Sequence, residues 1–475
     1  MLASTKPTDE QLAILDLARS SSFNLVLNAF AGCGKTTTLE MVANVVKQKP
    51  ILYLVFNKKN AEEAEGRMPP SATVRTFNGM GHRVWQKVVG KPLGKPETKK
   101  SQIILRELIN DSPKAMQPEI WEVFWEVIAG VALAKALGYI PEGKYPKARR
   151  LIEAEDFYLR LEEKPSDLTI DFIDAVLTRS IALAYQGHID YNDQIYMPAL
   201  FEGSFPQFPL VKIDEAQDLN STNHAMVDKL VRGRVMAVGD PFQSIYGFRG
   251  AVQSGMDILA SKFSMRPADL SVSFRCPRAI VENARWRVPK FKWIKDGGHV
   301  ERLGDLAINT IPDGAAIISR NNAPLFRLAM VLLSNKRSVS VAGSDIGPKI
   351  VALMRKLGPE SMSKASVLSA ITDWLVERLA KDSTTAEDMA ACMKVFAEFG
   401  STLGQAISYA EHLFSQRGSI RLLTGHKAKG LEFDCVYHLD PTLIGMEEQE
   451  LNLRYVIQTR SRDRYYEVHS KDIHP

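Results

Sequence analysis

Ala29-Phe30-Ala31-Gly32-Cys33-Gly34-Lys35-Thr36 follows the short apolar run Leu25-Val26-Leu27. An apolar strand that runs into a Gly-rich loop closing on Lys-Thr is suited to gripping an anion. Gly32 and Gly34 let backbone N–H groups curl round it without a Cβ clash, and Lys35 adds a fixed positive charge. Thr36 offers a hydroxyl to Mg²⁺, and a helix expected over 37–47 points its positive end at the same place. The first position of the G-x-x-x-x-G-K-[ST] pattern is Ala29, a small-for-small change. The stretch predicts a nucleotide site made by Ala29, Gly32, Cys33, Gly34, Lys35, Thr36 and Thr37.

Outward from this loop, short apolar runs at 25–27, 51–56, 73–77, 210–213 and 235–238 alternate with helical or polar stretches. That rhythm implies a parallel sheet covered on both faces. Residues 87–100 break it with Pro, Gly and five lysines, and about ninety residues of helical pattern follow. A second set of runs lies at 315–319, 338–342, 420–424 and 435–439, interrupted by helical spacing such as Ile371, Trp374, Leu375 and Leu379. The expected architecture is α/β: two domains with parallel sheets, each carrying a helical insertion. The expected boundaries are 1–85 and 191–265 for the first domain and 86–190 for its insertion. The second domain takes 266–346 and 417–475, with a smaller insertion at 347–416.

A chain of 475 residues is too long for one core, which agrees with that division. Lys plus Arg exceeds Asp plus Glu by 60 to 55, a balance compatible with a polyanionic partner without requiring one. Cys33, Cys276, Cys392 and Cys435 are scattered without metal or disulfide spacing, so a reducing compartment is expected. The start of the chain is polar, and the apolar segment 123–137 is broken by Glu126 and Lys135. A buried helix is expected there rather than a membrane span. A cytoplasmic location follows, or a nuclear one in a eukaryote.

Val211-Lys212-Ile213-Asp214-Glu215-Ala216 is an apolar strand ending in two carboxylates. At a strand's C-terminal end Asp214 can hold Mg²⁺ and Glu215 can orient or deprotonate a water. The competing reading, an exposed acidic turn, loses weight because the pair falls in the same inferred sheet as the phosphate loop. Gly239-Asp240-Pro241-Phe242-Gln243-Ser244-Ile245-Tyr246-Gly247-Phe248-Arg249-Gly250-Ala251 follows another strand. Gln243 can reach a γ-phosphate. Tyr246 and Phe248 offer faces for stacking bases, with Arg249 a cation for phosphate, unless the aromatics are a core pair in a loop.

These blocks, with Asp214-Glu215-Ala216-Gln217-Asp218, Thr424-x-His426-x-Ala428-Lys429-Gly430-Leu431-Glu432-Phe433 and Tyr455-Val456-x-x-Thr459-Arg460, resemble superfamily 1 helicases of the UvrD/Rep type, in family order. Asn28 to Gly32, Phe56-Asn57-Lys58 and Ser273-Phe274-Arg275-Cys276-Pro277-Arg278 lean toward the F-box DNA helicase branch. No F-box is expected ahead of the first motif. The resemblance covers nearly the whole chain and is weak in the two insertions.

The resemblance implies two RecA-like P-loop domains with ATP and Mg²⁺ in the cleft between them, and a motor moving 3′→5′ on single-stranded DNA. Gln11 stands at the adenine-reading glutamine. Phe274 takes the place of the aromatic stacked on adenine, Arg275 that of a γ-phosphate arginine, and Glu432 that of a ribose contact. Arg460 matches the arginine finger. The DNA track would use Phe56, Asn57, Lys58, Thr76, Phe77, Asn78, Tyr246, Phe248, Arg249, Thr424 and His426. Departures are Thr37 for a usual Arg, Asn78 for His, Phe248 for Trp and Lys427 for Ser; none removes a catalytic group.

The implied partners are single-stranded DNA and 3′-tailed duplexes, with recombinase or replication proteins as further candidates, and the implied state is a monomer with no membrane contact. A translocase that strips proteins from single strands would use the same motifs. A nucleotide-switched binding module with little turnover could dispense with Glu215 or Arg460. Three further features remain: the basic, aromatic stretch 275–295 is either a DNA contact or a solvated helix face followed by a surface strand, the lysine-rich 87–100 reads as a mobile surface loop rather than a DNA contact, and Asp190-Tyr191-Asn192-Asp193 resembles a D-F-x-D segment of the family without a sharp role.

Overall fold

Runs of Val, Leu and Ile with no polar face form strands covered on both sides. In the first unit β1 (Leu25–Ala29), β2 (Ile51–Val55), β4 (Phe208–Ile213) and the latter part of β5 (Val231–Gly239) are of this kind, while β3 (Ala72–Thr76) is a half-buried edge strand with only Val74 in the core. With β6 (Arg266–Leu270) they make a six-stranded sheet in the order β3-β2-β4-β5-β1-β6, every neighbour parallel. β6 reads Arg-Pro-Ala-Asp-Leu and has no apolar run, so the periodicity missed it. It lies at the sheet edge against β1, where a proline is tolerated.

The computed structural model describes residues 6–20, 22–161, 165–247, 255–342, 346–379 and 386–474. By contact the chain divides into Met1–Phe30 with Gly34–Ser271, and Ala31–Cys33 with Val272–Pro475.

The second unit opens with a short parallel pair, β7 (Val272–Ser273) and β8 (Lys292–Trp293). Its main sheet contains β9 (His299–Leu303). β10 (Leu306–Ala307) pairs elsewhere, with the last strand of the chain. Then come β11 (Ala316–Ser319), β12 (Val339–Val341), β13 (Ile420–Thr424), β14 (Phe433–Leu439), β15 (Ser461–Val468) and β16 (Ile473–His474). The main order is β12-β13-β11-β14-β15-β9, again all parallel. The sequence reading missed β9 and β15 because charged side chains interrupt both. The α/β class with two parallel sheets holds.

The helical stretch after β3 closes a core of its own, in which Ile104, Leu105, Phe124, Val131, Ile173 and Leu177 are buried together. Helix Phe77–Val89 runs through position 86, where an insertion was expected to begin, and ends at Gly90 in the left-handed region. The lysine-rich 87–100 is therefore partly helical. Its remainder is tied down by Gly94 N–H to Gly187 O (3.2 Å) and Glu97 N–H to Ile189 O (2.8 Å). In the second unit the helices Lys364–Leu379, Ala386–Phe399 and Leu403–Ser415 share one core with the sheet, Ile371, Phe396 and Leu413 joining Ile317 and Leu422.

None of the four cysteines forms a disulfide, and all are buried. Among the described residues no helix is long and apolar enough to cross a membrane.

Candidate nucleotide site and strand-end motifs

Parallel pairing brings the C-terminal ends of β1, β4 and β5 to one edge, with Asn28 beside Gly239 and Ile213 beside Ala237. Three loops leave from that edge, and each carries one of the motifs. After β1, Gly32 and Gly34 adopt φ of +71° and +76°, which only glycine takes without strain. Gly34 leads into helix Lys35–Val45, two residues earlier than expected, so Lys35 and Thr36 sit in the first turn. The backbone groups there point outward, unsatisfied by the helix, and favour an anion. Ala29 ends β1, and Thr37 follows in the same first turn.

Lys35 Nζ donates to Glu215 Oε2 at 2.7 Å. Burial alone would lower the lysine's pKa, but Glu215, Asp214 and Asp240 outweigh it and hold the ammonium above its ordinary value. Glu215 itself has φ +52°, a strained left-handed backbone that turns the carboxylate out of the strand direction. Asp214 is 4 % exposed and accepts from Tyr53 Oη at 2.7 Å through Oδ2, and from the Glu215 N–H at 2.9 Å through Oδ1. Burial and the adjacent Glu215 charge raise its pKa, against the pull of Lys35.

The third loop joins the same network. Gln217 Nε2 donates to Glu215 Oε2 (2.7 Å), and Gln217 Oε1 accepts from the Asp240 N–H (3.0 Å). Gln243 Nε2 donates to Asp240 Oδ2 at 2.6 Å. Lys35, Glu215, Gln217, Asp240 and Gln243 thus form one hydrogen-bonded chain across three strand ends. Gln11, buried, donates to Thr38 Oγ1 at 3.0 Å and accepts from the Thr8 N–H at 3.0 Å. That fixes it against the helix behind the phosphate loop.

Within the second unit, Arg275 Nη2 pairs with Glu432. Arg460 is 1 % exposed and donates to Val456 O (3.0 Å), Leu431 O (3.3 Å) and Thr459 Oγ1 (3.2 Å). Burial, and then the Arg275 charge, bring its pKa down to about 10. Arg275, Glu432 and Arg460 are therefore one cluster. The Phe274 N–H donates to Gly32 O at 2.9 Å, both residues belonging to this unit by contact.

The strand-end residues read as a DNA track have mixed environments. The Phe56 and Phe77 rings lie 5.6 Å apart, but Phe77 is 1 % exposed and packs in the core, so it presents no face to a base. Asn57 caps helix Lys58–Glu65 by accepting from the Asn60 N–H, and Thr76 caps Phe77–Val89 by accepting from the Gly79 N–H. Lys58 pairs with Glu62 at 3.5 Å on the surface. Asn78 Nδ2 donates to Tyr191 O (2.6 Å) and Gln194 Oε1 (3.0 Å). Tyr246 is half-buried; Phe248 and Arg249 lie outside the described residues. Thr424 ends β13 and His426 stands in the following turn.

Two features left open by the sequence acquire roles. Asp190 and Asp193 hold buried Lys135 at 2.6 and 2.8 Å, and Asp193 holds Lys100 at 2.6 Å, joining the helical stretch to the segment that carries Asn78's partners. The basic block 275–295 is largely consumed internally. Arg278 pairs with Glu282, Arg287 donates to Asn452, Trp286 donates to Gln458, and Arg285 lies 5.0 Å from the Trp293 ring.

Tyr53, Gln217 and Lys212 were not singled out. Lys212, wholly buried, donates to Leu39 O, and burial brings its pKa down to about 7. A lysine inside an apolar strand was the visible signal, since a buried charge needs partners. Tyr53 gave none, because it reads as one more large apolar side chain.

The donor set suits a hard cation held beside phosphates: a hydroxyl from Thr36 and a buried carboxylate from Asp214, with hard oxygen atoms only. Among the described residues no cluster of three or more His, Cys, Asp or Glu could hold a metal ion.

Residues 8–264 match the family model described as UvrD/REP helicase N-terminal domain, and 419–466 that described as UvrD-like helicase C-terminal domain. The chain is 26% identical to F-box DNA helicase 1 of Gallus gallus, over 97% of this chain and 49% of that protein. It is 24% identical to F-box DNA helicase protein 1 of Schizosaccharomyces pombe, over 96% of this chain and 57% of that one. DNA helicase II of Escherichia coli is 28% identical over 30% of this chain and 22% of its own length. The chain spans about half the length of the F-box relatives it matches.

Proposed function

This chain belongs to the UvrD/Rep helicase family, and from that premise we propose that it is an ATP-dependent DNA motor moving 3′→5′ on single-stranded DNA. The observation that carries the reading is the linked set Lys35–Glu215–Gln217–Asp240–Gln243, which joins three strand ends into one relay. A module that only binds nucleotide has no need to hold a carboxylate in a strained backbone beside the phosphate loop.

In this reading the loop N–H groups and Lys35 take the β- and γ-phosphates, and Thr36 and Asp214 hold Mg²⁺. The metal, when bound, neutralises charge on the phosphates. Glu215 orients the attacking water and accepts its proton, which requires it to exchange Lys35 for that water when nucleotide arrives. Gln243 senses the γ-phosphate and passes its position to Asp240. Gln11 and Phe274 hold the adenine and Glu432 the ribose. Arg275 and Arg460 stabilise the transferring phosphoryl group, so Arg460 must leave its backbone carbonyls to act. Tyr246, Phe248, Arg249, Asn78, Thr424 and His426 contact the single strand. The setting is replication, repair or recombination.

The deciding experiment compares ATP-driven unwinding of duplexes bearing a single 3′ tail, a single 5′ tail or none. Preference for the 3′ tail is expected, and preference for the 5′ tail would overturn the polarity. Strong single-strand-stimulated ATPase without unwinding would favour the protein-stripping translocase, which shares every motif.

A further inference from the structure

At the opposite end of the first sheet from the phosphate loop, an open cavity of about 650 Å³ indents the surface. Thr73 near the start of β3 and Phe208 at the start of β4 mark its place, and the C-terminal half of helix Phe77–Val89 forms a wall. Arg75, Arg83, Lys87 and Lys91 all line it, and no carboxylate does. The side chains of Arg83, Lys87 and Lys91 form no ion pair or hydrogen bond with any described residue. Only Arg75 is partnered, by Glu65 at 3.6 Å and by Val74 O at 2.7 Å.

Arg83 and Lys87 stand four residues apart on one helix face, a like-charge spacing that weakens a helix. Lys91 follows in the segment that Gly94 and Glu97 anchor through their backbone, so the third cation is held near the other two. Beneath the cations the floor is apolar and mostly aliphatic, with Val84, Pro206 and Phe208. A strand of nucleic acid would use such cations but asks for exposed aromatic faces as well, and Phe208 is the one aromatic in the lining. A cationic rim over an aliphatic pocket matches instead a short peptide that carries acidic side chains around an apolar anchor.

We infer that this cavity is a docking site for an acidic peptide segment of a partner protein, separate from the nucleotide and DNA sites. It sits where a partner can be held without covering the strand ends that carry the motor chemistry.

The test uses the full chain and a fluorescent peptide in which aspartates flank a Leu-Phe pair. Anisotropy should show saturable binding that is absent for the lysine counterpart and weakened when the Leu-Phe pair becomes Ser-Ser. The exposed double reversal Arg83→Glu/Lys87→Glu should lose at least about tenfold in peptide affinity, with single-strand-stimulated ATPase unchanged as the check on folding. Arg83→Ala/Lys87→Ala should lose less, in the same direction. No binding by the intact chain, or equal binding by the double reversal, would overturn the site. If oligothymidylate rather than the peptide lost affinity in the reversal, the cavity would be a nucleic-acid contact and the peptide assignment wrong.

Discussion

Tyr53 Oη lies 2.7 Å from Asp214 Oδ2, a hydrogen bond between the middle of β2 and the residue after β4, with both side chains buried. The register that sets Leu54 beside Ile213 brings them together. Tyr53 donates to the carboxylate oxygen and so fixes how Asp214 faces the phosphate loop. Tyr53→Phe should leave the fold intact and raise the Mg²⁺ concentration for half-maximal ATPase by about 10-fold or more, as for other residues that orient a metal-holding group. A Mg²⁺ titration of ATPase checks it. An unchanged midpoint would show that Asp214 needs no such support.

Glu215 combines an unfavourable backbone with a 2.7 Å bond to Lys35. Glu215→Gln should still bind ATP and lose at least about 10²-fold in turnover, the ordinary loss of a general base. Single-turnover hydrolysis alongside nucleotide binding separates the two effects. Near-normal turnover would remove Glu215 from the water-activating role.

Arg460 should act on turnover rather than on binding. Arg460→Ala is expected to lower kcat by about 10³ with ATP affinity nearly unchanged. Arg460→Lys should not restore it, because an ammonium lacks the planar fork. Steady-state kinetics decides: a variant that chiefly raised KM would mark a binding residue.

Lys135 is 1 % exposed and held by two aspartates. Lys135→Met would strand Asp190 and Asp193 without that charge and should destabilise the chain by about 3–5 kcal/mol. Adding Asp190→Asn should recover part of the loss. Urea denaturation of the single and double variants measures the difference, and additive losses would count against the coupling.

Acid should weaken both units through buried histidines. Burial, helped by Arg454, brings His438 down to about 3, and burial with Lys262 brings His224 down to about 4. Both would titrate near about 6.5 when unfolded, so the unfolded chain binds more protons as pH falls below that value. Their contribution is complete above about 6.5 and is lost on the way down toward the folded values, at up to about 1.4 kcal/mol per pH unit for each. Thermal melts from neutral pH down to about pH 5 should show the slope, and His438→Gln should flatten it.

The phosphate loop, the acidic pair after β4 and the glutamine after β5 were legible in the amino-acid order because each is local chemistry. Small residues permit a backbone turn, a lysine or carboxylate brings its charge, and an apolar run announces the strand before it. The same logic found the α/β class, since buried parallel strands must be apolar on both faces. It missed β6, β9 and β15, whose residues are charged or Pro-containing and take their strand conformation from pairing with a neighbour already in place.

Tertiary structure alone decided the partners. Nothing near Tyr53 announces a bond to Asp214, 161 residues away, and nothing near Lys100 or Lys135 announces Asp193. The aromatic at 77 reads like a stacking platform until packing buries it. A side chain's type is written at its own position, but its burial and its partners depend on which distant segments the sheet register and core packing bring against it.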